Sequence, residues 1–210
     1  MTDLHYVTEN IGHNYSTGSM VTAVKQIYED LGIISAGSWN ASESDYASFG
    51  KFERFYQEEF VGIESPQKEK NWDFSDTVWD EKGSVYIPDS CYTQTCSLHV
   101  SFHGCYNNAS AYATQNQLRE LAANNNIILL FPESYCWNMT GPEDSPYDSY
   151  EGVDDEYWLT RDGLYPQAIM AMICRLTSTE EDNDCPVSDG AGSLALTLNA
   201  LALAYLMVSV

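Results

Sequence analysis

The segment Cys96-Ser-Leu-His-Val-Ser-Phe-His-Gly-Cys105 decides the fold that the sequence predicts. Its first half is apolar enough for a buried strand, predicted over 97–103, and the His-Gly pair indicates an abrupt turn at the strand's end. A helix is predicted over 111–124, and the apolar run Ile127-Ile-Leu-Leu-Phe131 predicts a second buried strand. A buried strand, a helix and another buried strand are typical of an α/β protein.

Further helices and strands are predicted on either side of this unit. The apolar spacing over residues 18–31 predicts an amphipathic helix, and residues 164–176 predict a final one. One or two antiparallel strands are expected within the aromatic and acidic region 33–82, followed by an alternating strand at 83–88. The acidic region 141–160 predicts a solvated loop, because its carboxylates lack the spacing of a calcium-binding EF-hand.

Length and charge limit the classes of protein to which the chain can belong. Its 210 residues suffice for one substantial core. The formal net charge of −22, with only nine basic residues, excludes nucleic acid as a partner, because phosphate contacts need clustered Lys and Arg. No C-x-x-C pair occurs and no His or Cys cluster has zinc-finger spacing, so no structural metal is predicted.

The cysteines and glycosylation sequons point to the secretory route. The chain has six cysteines and four N-x-[ST] sequons, which begin at Asn14, Asn40, Asn108 and Asn138. Buried free thiols in a cytosolic protein are the alternative. The N-terminus has neither the charged nor the apolar region of a signal peptide, so we expect the natural N-terminus to lie upstream of Met1.

The C-terminal residues predict attachment to a membrane surface. Residues 194–210 are uncharged and follow an acidic, small-residue spacer over 177–193, a pattern that matches a glycosylphosphatidylinositol (GPI) attachment signal. An ordinary apolar helix and a short tail anchor are the alternatives. The folded domain is then expected over 1–176, outside the cell or on its surface. The attachment site is expected near Asp182 or Asn183, or with a shorter spacer at Ser188 or Gly190.

The His103-Gly104 turn suggests ester chemistry. A turn of this kind after a central strand directs a backbone N–H toward the oxygen of a carbonyl under attack. Acyl transfer also needs a nucleophilic serine on a tight elbow, a histidine base and an acidic residue. The Gly-Ser pairs that end at Ser19, Ser38 and Ser193 all fail the G-x-S-x-G pattern, so the sequence contains no credible nucleophile elbow.

Together these residues resemble a known family, the extracellular poly(3-hydroxybutyrate) depolymerases, in the circularly permuted form of their catalytic domain. The resemblance covers roughly residues 4–176. It implies an incomplete α/β-hydrolase-like sheet with flanking helices, since the portion with the catalytic Ser and Asp would lie upstream of Met1. The blocks that carry it are 83–91, 96–105, 127–132 and the pair Cys136-Trp137.

The resemblance also implies roles for individual residues. It assigns the backbone N–H of Cys105 to the oxyanion hole and Trp137 to the polymer-binding crevice. It pairs Cys91 with Cys96, and Cys105 with Cys136, in disulfides. No cofactor is implied.

The catalytic base is assigned by the same resemblance. His5 precedes the first helix in the closest match to the family's H-x-x-P-T context, although the Pro is missing, and His13 is the rival. His99 lies within a buried strand and is predicted to be a core residue with a hydrogen-bond partner. His103 is predicted to support the turn.

Two functions are therefore expected from the sequence. The first is a secreted carboxylic ester hydrolase of the polyhydroxybutyrate depolymerase type with a Ser-His-Asp mechanism. It would act on a polyester or a small carboxylic ester, and the chain as given would be an inactive fragment without the nucleophile. The second is a non-catalytic binding or structural glycoprotein of the cell surface that retains the hydrolase fold.

Overall fold

A computed structural model of the chain describes residues 17–40, 44–60, 82–103, 108–133, 164–177 and 204–207. Within these ranges the chain forms one five-stranded sheet with helices against it. The strands are β1 (Gly50–Tyr56), β2 (Lys82–Pro88), β3 (Ser97–Ser101), β4 (Ile127–Phe131) and β5 (Ala204–Met207). The helices are α1 (Thr17–Asp30), α2 (Ala109–Gln115), α3 (Leu118–Ala123) and α4 (Leu164–Thr177).

The sheet is mixed, with the spatial order β1-β2-β4-β3-β5. β1 and β2 are antiparallel to each other, and β2 is antiparallel to β4. β4, β3 and β5 run parallel, and α2 and α3 form the crossover between β3 and β4. The predicted α/β class is confirmed. Because β3 and β4 are parallel, their carboxyl ends lie at the same edge of the sheet.

The strands separate two hydrophobic clusters, one on each face. Alternate residues of β4 belong to different clusters, since Leu130 packs with α4 whereas Leu129 packs with α1, α2 and α3. Every residue of β4 is buried. This double coverage explains why the strand is a continuous apolar run rather than an alternating one.

The predicted element boundaries are correct in most places and wrong in two. The single helix predicted over 111–124 is two helices, because Gln117 adopts a left-handed backbone conformation with φ of 55°. The side chain of Asn116 supports the break, since its Oδ1 accepts the N–H of Leu118 at 3.0 Å. The strand predicted over 97–103 ends at Ser101, so Phe102 and His103 follow β3 outside its ladder.

The Cys91–Cys96 disulfide implied by the resemblance is present, with a Cα–Cα distance of 5.6 Å. It closes the short loop between β2 and β3. Asn126 precedes β4 and stabilises this loop. Its Oδ1 accepts hydrogen bonds from Ser90 Oγ at 2.9 Å and from Gln94 Nε2 at 2.7 Å. Cys174 on α4 is also disulfide-bonded.

Part of the predicted GPI signal is a strand. Residues 204–207 form β5, which lies parallel to β3 and pairs with Leu98 to Ser101. In this segment a strand replaces the helix considered as an alternative, because the free edge of β3 offers backbone partners to an extended chain. Among the described residues no helix is long and apolar enough to cross a membrane. GPI attachment stays a prediction.

His99 is a core residue with a partner, as predicted. Its Nδ1 lies 2.6 Å from the hydroxyl oxygen of Tyr28, which α1 places against β3. Both side chains are buried. Burial lowers the pKa of His99 to about 4 and raises the pKa of Tyr28, because the low-dielectric interior disfavours the charged form of each.

This burial predicts a loss of stability on acidification. Unfolded His99 takes up a proton as the pH falls through about 6.5, whereas the folded residue stays neutral down to a pKa of about 4. The free energy of unfolding should therefore fall between these two pH values, by up to about 3 kcal/mol from this residue.

His99→Gln is the matched variant, because its amide oxygen can still accept from Tyr28 but does not titrate. Urea unfolding at several pH values measures both proteins. The stability difference between wild type and variant should shift by about 3 kcal/mol from pH 7 to pH 4. A difference that is independent of pH would contradict the assignment.

Candidate functional site

A buried pair of polar side chains marks the edge where β3 and β4 end. His103 follows β3 and Glu133 follows β4, with exposed fractions of only 1% and 2%. Nε2 of His103 lies 3.1 Å from Oε1 of Glu133. In open α/β sheets, ligands bind outside the carboxyl ends of parallel strands. The pair therefore lies at the base of the region where a site is expected.

The Glu133 carboxylate also reaches the start of α2. Its Oε2 accepts the main-chain N–H of Ala109 at 2.8 Å. The helix is capped one residue earlier, because Oδ1 of Asn108 accepts the N–H of Ala111 at 2.8 Å. The Glu133 carboxylate thus contacts both His103, which follows β3, and Ala109, the first residue of α2.

A third polar residue, Gln57, fixes the backbone of Glu133. Gln57 follows β1 and is fully buried. Its Oε1 accepts the N–H of Glu133 at 2.9 Å, and its Nε2 donates to the carbonyl oxygen of Glu133, also at 2.9 Å. These two bonds pair the main-chain N–H and C=O of Glu133 where β4 has ended. They connect Glu133 directly to the residue after β1, although β2 lies between β1 and β4 in the sheet.

Gly83 makes room for the Gln57 side chain. A Cβ atom at this position would lie 2.7 Å from Gln57 Oε1 and 2.8 Å from Phe55 Cζ. Both distances are shorter than an ordinary van der Waals contact. A side chain at position 83 would therefore have to displace the ends of the Gln57 and Phe55 side chains, so this close approach rather than an unusual φ favours glycine here.

Most of the residues assigned from the sequence lie outside the described ranges. These are the candidate bases His5 and His13, the oxyanion donor Cys105, its predicted partner Cys136, the crevice residue Trp137, and the sequon residues Asn14 and Asn138. Their roles stay predictions. The described part of the chain places His103 and Asn108 on either side of the segment that contains Cys105.

Sequence reasoning did not identify Gln57 and Glu133. The usable signal for Glu133 was its position, since a charged residue directly after a buried strand and a proline points to a role at the strand's carboxyl end. No local signal identified Gln57, because it follows an edge strand and reaches Glu133 only through the tertiary fold. His103 is buried against Glu133, which fits its predicted role as support for the turn.

A cavity and two glycosylation sequons are also found among the described residues. A cavity of about 500 Å³ opens at the opposite edge of the sheet, beside Ser97 and Asn126 where β3 and β4 begin. In the described ranges, no group of three His, Cys, Asp or Glu side chains could hold a metal ion. The sequon residues Asn40 and Asn108 are both exposed.

The mixed sheet and its flanking helices form an α/β fold. No protein-family model matches the chain. A solved PHB depolymerase complexed with an R3HB trimer has the same fold, with a TM-score of 0.50 and 24% identity. That likeness covers 76% of this chain and 47% of the other.

Two curated proteins are similar in sequence. The poly(3-hydroxybutyrate) depolymerase of Delftia acidovorans is 26% identical over 185 residues, which cover 82% of this chain and 34% of that protein. The polyhydroxybutyrate depolymerase of Talaromyces funiculosus is 30% identical over 99 residues, which cover 35% of this chain and 29% of that protein. The resemblance to PHB depolymerases is thus confirmed, at modest identity. The chain spans about a third of the length of these curated relatives.

The contact between Gly83 and Gln57 predicts the effect of a small substitution. Gly83→Ala should lower the free energy of unfolding by about 1–3 kcal/mol, because a methyl group there displaces Gln57 and Phe55. This cost outweighs the gain of about 0.4–1 kcal/mol that an alanine brings by restricting the unfolded chain. Urea unfolding measures the difference.

Ser84→Ala is the matched control at the next residue of β2. The buried hydroxyl of Ser84 has no hydrogen-bond partner in the described structure, so its removal should leave stability unchanged or slightly higher. Equal stability of the two variants would contradict the argument for Gly83.

Proposed function

We propose that the chain carries the oxyanion-loop part of a secreted carboxylic ester hydrolase of the PHB depolymerase type. The observation that carries the proposal is the buried contact between His103 and Glu133, at the base of the segment that contains Cys105. The similarity to two curated PHB depolymerases supports it. A hydroxyalkanoate polyester or a smaller carboxylic ester is the proposed substrate.

In the proposed mechanism a serine oxygen attacks the ester carbonyl carbon while His5 accepts the serine proton. The negative charge that develops on the carbonyl oxygen is stabilised by the backbone N–H of Cys105. His5 then returns the proton to the departing alcohol. Water attacks the acyl-enzyme in the same way and releases the acid. Trp137 packs its aromatic face against the apolar polyester chain.

The serine and the acidic residue belong, in this proposal, to the part of the curated relatives that the chain does not span. Without an attacking serine no acyl-enzyme can form. The 210-residue chain should therefore hydrolyse p-nitrophenyl butyrate no faster than buffer, as measured by release of p-nitrophenol. Robust turnover that survives replacement of both His5 and His13 would contradict the mechanism.

The transcript upstream of Met1 supplies the complementary test. We expect an in-frame G-x-S-x-G and an Asp there, and hydrolysis of p-nitrophenyl butyrate by the chain so extended. His5→Ala should then lower kcat/KM by about 10²–10⁴-fold, since it removes the general base. His13→Ala is the control and should leave kcat/KM close to that of the unchanged protein. A larger loss with His13→Ala would transfer the role of the base to that residue.

A non-catalytic surface protein is the second candidate, favoured by the missing G-x-S-x-G motif. A transcript that starts at Met1 would support it over the enzyme. In that case the chain should sediment with PHB granules and release no hydroxybutyrate from them. Loss of granule binding in Trp137→Ala would connect the binding to the proposed crevice.

Secretion predicts N-glycans on the exposed asparagines. When the chain is expressed with a signal peptide in a eukaryotic secretory host, N-glycosidase should reduce its mass. Ser110→Ala should remove one glycan and keep Asn108, whose side chain caps α2. Ser42→Ala should do the same for the Asn40 sequon. A secreted chain whose mass the glycosidase does not change would contradict the proposal.

GPI attachment is proposed for the apolar tail. A molecule that carries the anchor cannot form β5. Transfer to the lipid removes the residues that pair with β3, which leaves that strand's edge open. Phosphatidylinositol-specific phospholipase C should release the protein from the surface of cells that express it. Retention on the cell surface after this treatment would argue against a GPI anchor.

A further inference from the structure

We propose that the cavity where β3 and β4 begin holds the first sugar of an N-linked glycan on Asn40, and that this contact stabilises the folded chain. The inference rests on the secretion of the chain, which belongs to the proposed function. It deepens that function by giving one glycan a place in the fold. The sequon by itself predicts only that Asn40 is an acceptor.

The first argument is the size and place of the cavity. Its volume of about 500 Å³ lies within the range of about 300–1,000 Å³ that is usual for sites that take small molecules. Asn40 is one of the residues that line it, and the rest belong to the loop after α1 or lie where β3 and β4 begin. A sugar attached to Asn40 therefore starts at the wall of the cavity. It does not have to be captured from solution.

The second argument is the chemistry of the lining. No charged side chain lines the cavity, although the chain has 31 acidic residues. The hydroxyls of Ser35, Thr95 and Ser97 line it and have no hydrogen-bond partner among the described residues. Of the Asn126 side chain, only the oxygen is bonded within the described structure. Neutral donors and acceptors of this kind match the hydroxyl and acetamido groups of N-acetylglucosamine, which carries no charge.

The third argument is that Asn40 is held in place. Its main-chain N–H donates to Oδ1 of Asn125 at 2.9 Å, and its Nδ2 donates to the carbonyl oxygen of Asn124 at 2.5 Å. Attachment of a sugar at Nδ2 replaces one of two hydrogens, so the other can still donate to Asn124. The base of the glycan is thus fixed beside the cavity. The first sugar therefore loses little further freedom when it enters.

The modification is a group transfer from a lipid-linked oligosaccharide diphosphate of the secretory pathway. A bond forms between Nδ2 of Asn40 and the anomeric carbon of the first sugar. The bond from that carbon to the diphosphate oxygen breaks, and Nδ2 loses one proton. Asn40 is exposed, so the rest of the glycan can extend into solvent beyond the first sugar.

Urea unfolding of the full 210-residue chain tests the proposal. The protein is secreted with a signal peptide from a eukaryotic host, and mass spectrometry establishes the glycan on Asn40. Ser42→Ala removes this glycan and keeps the asparagine. It should raise the unfolding equilibrium constant about tenfold, since the sugar makes one or two net hydrogen bonds to the lining. The same two proteins made without glycans in a bacterial periplasm should differ by less than about twofold.

Ser110→Ala is the matched control for loss of a glycan. It removes the glycan from Asn108, which does not line the cavity, so it should change the unfolding constant by less than about twofold. An endoglycosidase that cuts after the first sugar gives a second comparison. The protein trimmed to one N-acetylglucosamine on Asn40 should keep the stability of the intact glycoprotein, because only the first sugar lies in the cavity.

Variants of the lining connect the stabilisation with the cavity. Ser35→Ala and Thr95→Val together remove two hydroxyls, so the effect of the Asn40 glycan should fall from about tenfold to about threefold. Thr93→Val is the matched control, because Thr93 lies close to Thr95 in the chain but does not line the cavity. It should leave the effect of the glycan unchanged. All three side chains are exposed, so these variants should fold.

Each of four results would overturn the proposal. They are an unmodified Asn40, equal stability of the secreted wild type and Ser42→Ala, loss of the stabilisation on trimming, and a glycan effect that the lining variants leave unchanged. A chain secreted with a glycan on Asn108 but none on Asn40 refutes this inference and leaves the proposed secretion supported. A secreted chain without any glycan contradicts both.

Discussion

The parallel pairing of β3 with β4 is the constraint on which the rest of the described structure depends. β4 is buried throughout, and so is β3 after its first residue, so the sheet needs helices on both faces. α4 covers one face, while α1, α2 and α3 cover the other. Parallel pairing also requires a crossover, which α2 and α3 supply, and it brings the carboxyl ends of both strands to one edge.

That edge is polar and buried at once, which is costly unless every group finds a partner. The fold meets this requirement with contacts among residues from separate elements. Glu133 from the end of β4 contacts His103 and Ala109, and Gln57 from the end of β1 bonds the backbone of Glu133. The buried carboxylate is thus held by groups that lie far apart in the chain, and its position depends on the whole sheet.

The two edges of the sheet differ in what they offer to other chain segments. β1 is antiparallel to β2 and carries exposed Lys51 and Arg54, and charged side chains on an edge strand resist further pairing. β3 at the other side is a central strand by composition, and β5 from the apolar tail pairs with it. Because β3 is buried after its first residue, a neighbour on this side covers its edge, which gives the tail a structural place besides its proposed role as an anchor signal.

The sequence by itself determined the class of fold, because apolar runs, helical spacing and turn residues act locally. It predicted β2, β4, α1 and α4 nearly to their ends, and His99 as a core residue. It could not predict the break at Gln117, where a left-handed backbone and the Asn116 side chain override helical propensity. Nor could it predict the bond between Gln57 and Glu133, since the two residues lie 76 positions apart. Only the tertiary structure brings such groups into contact, because hydrogen-bond geometry depends on where strands end in space, which sequence spacing does not encode.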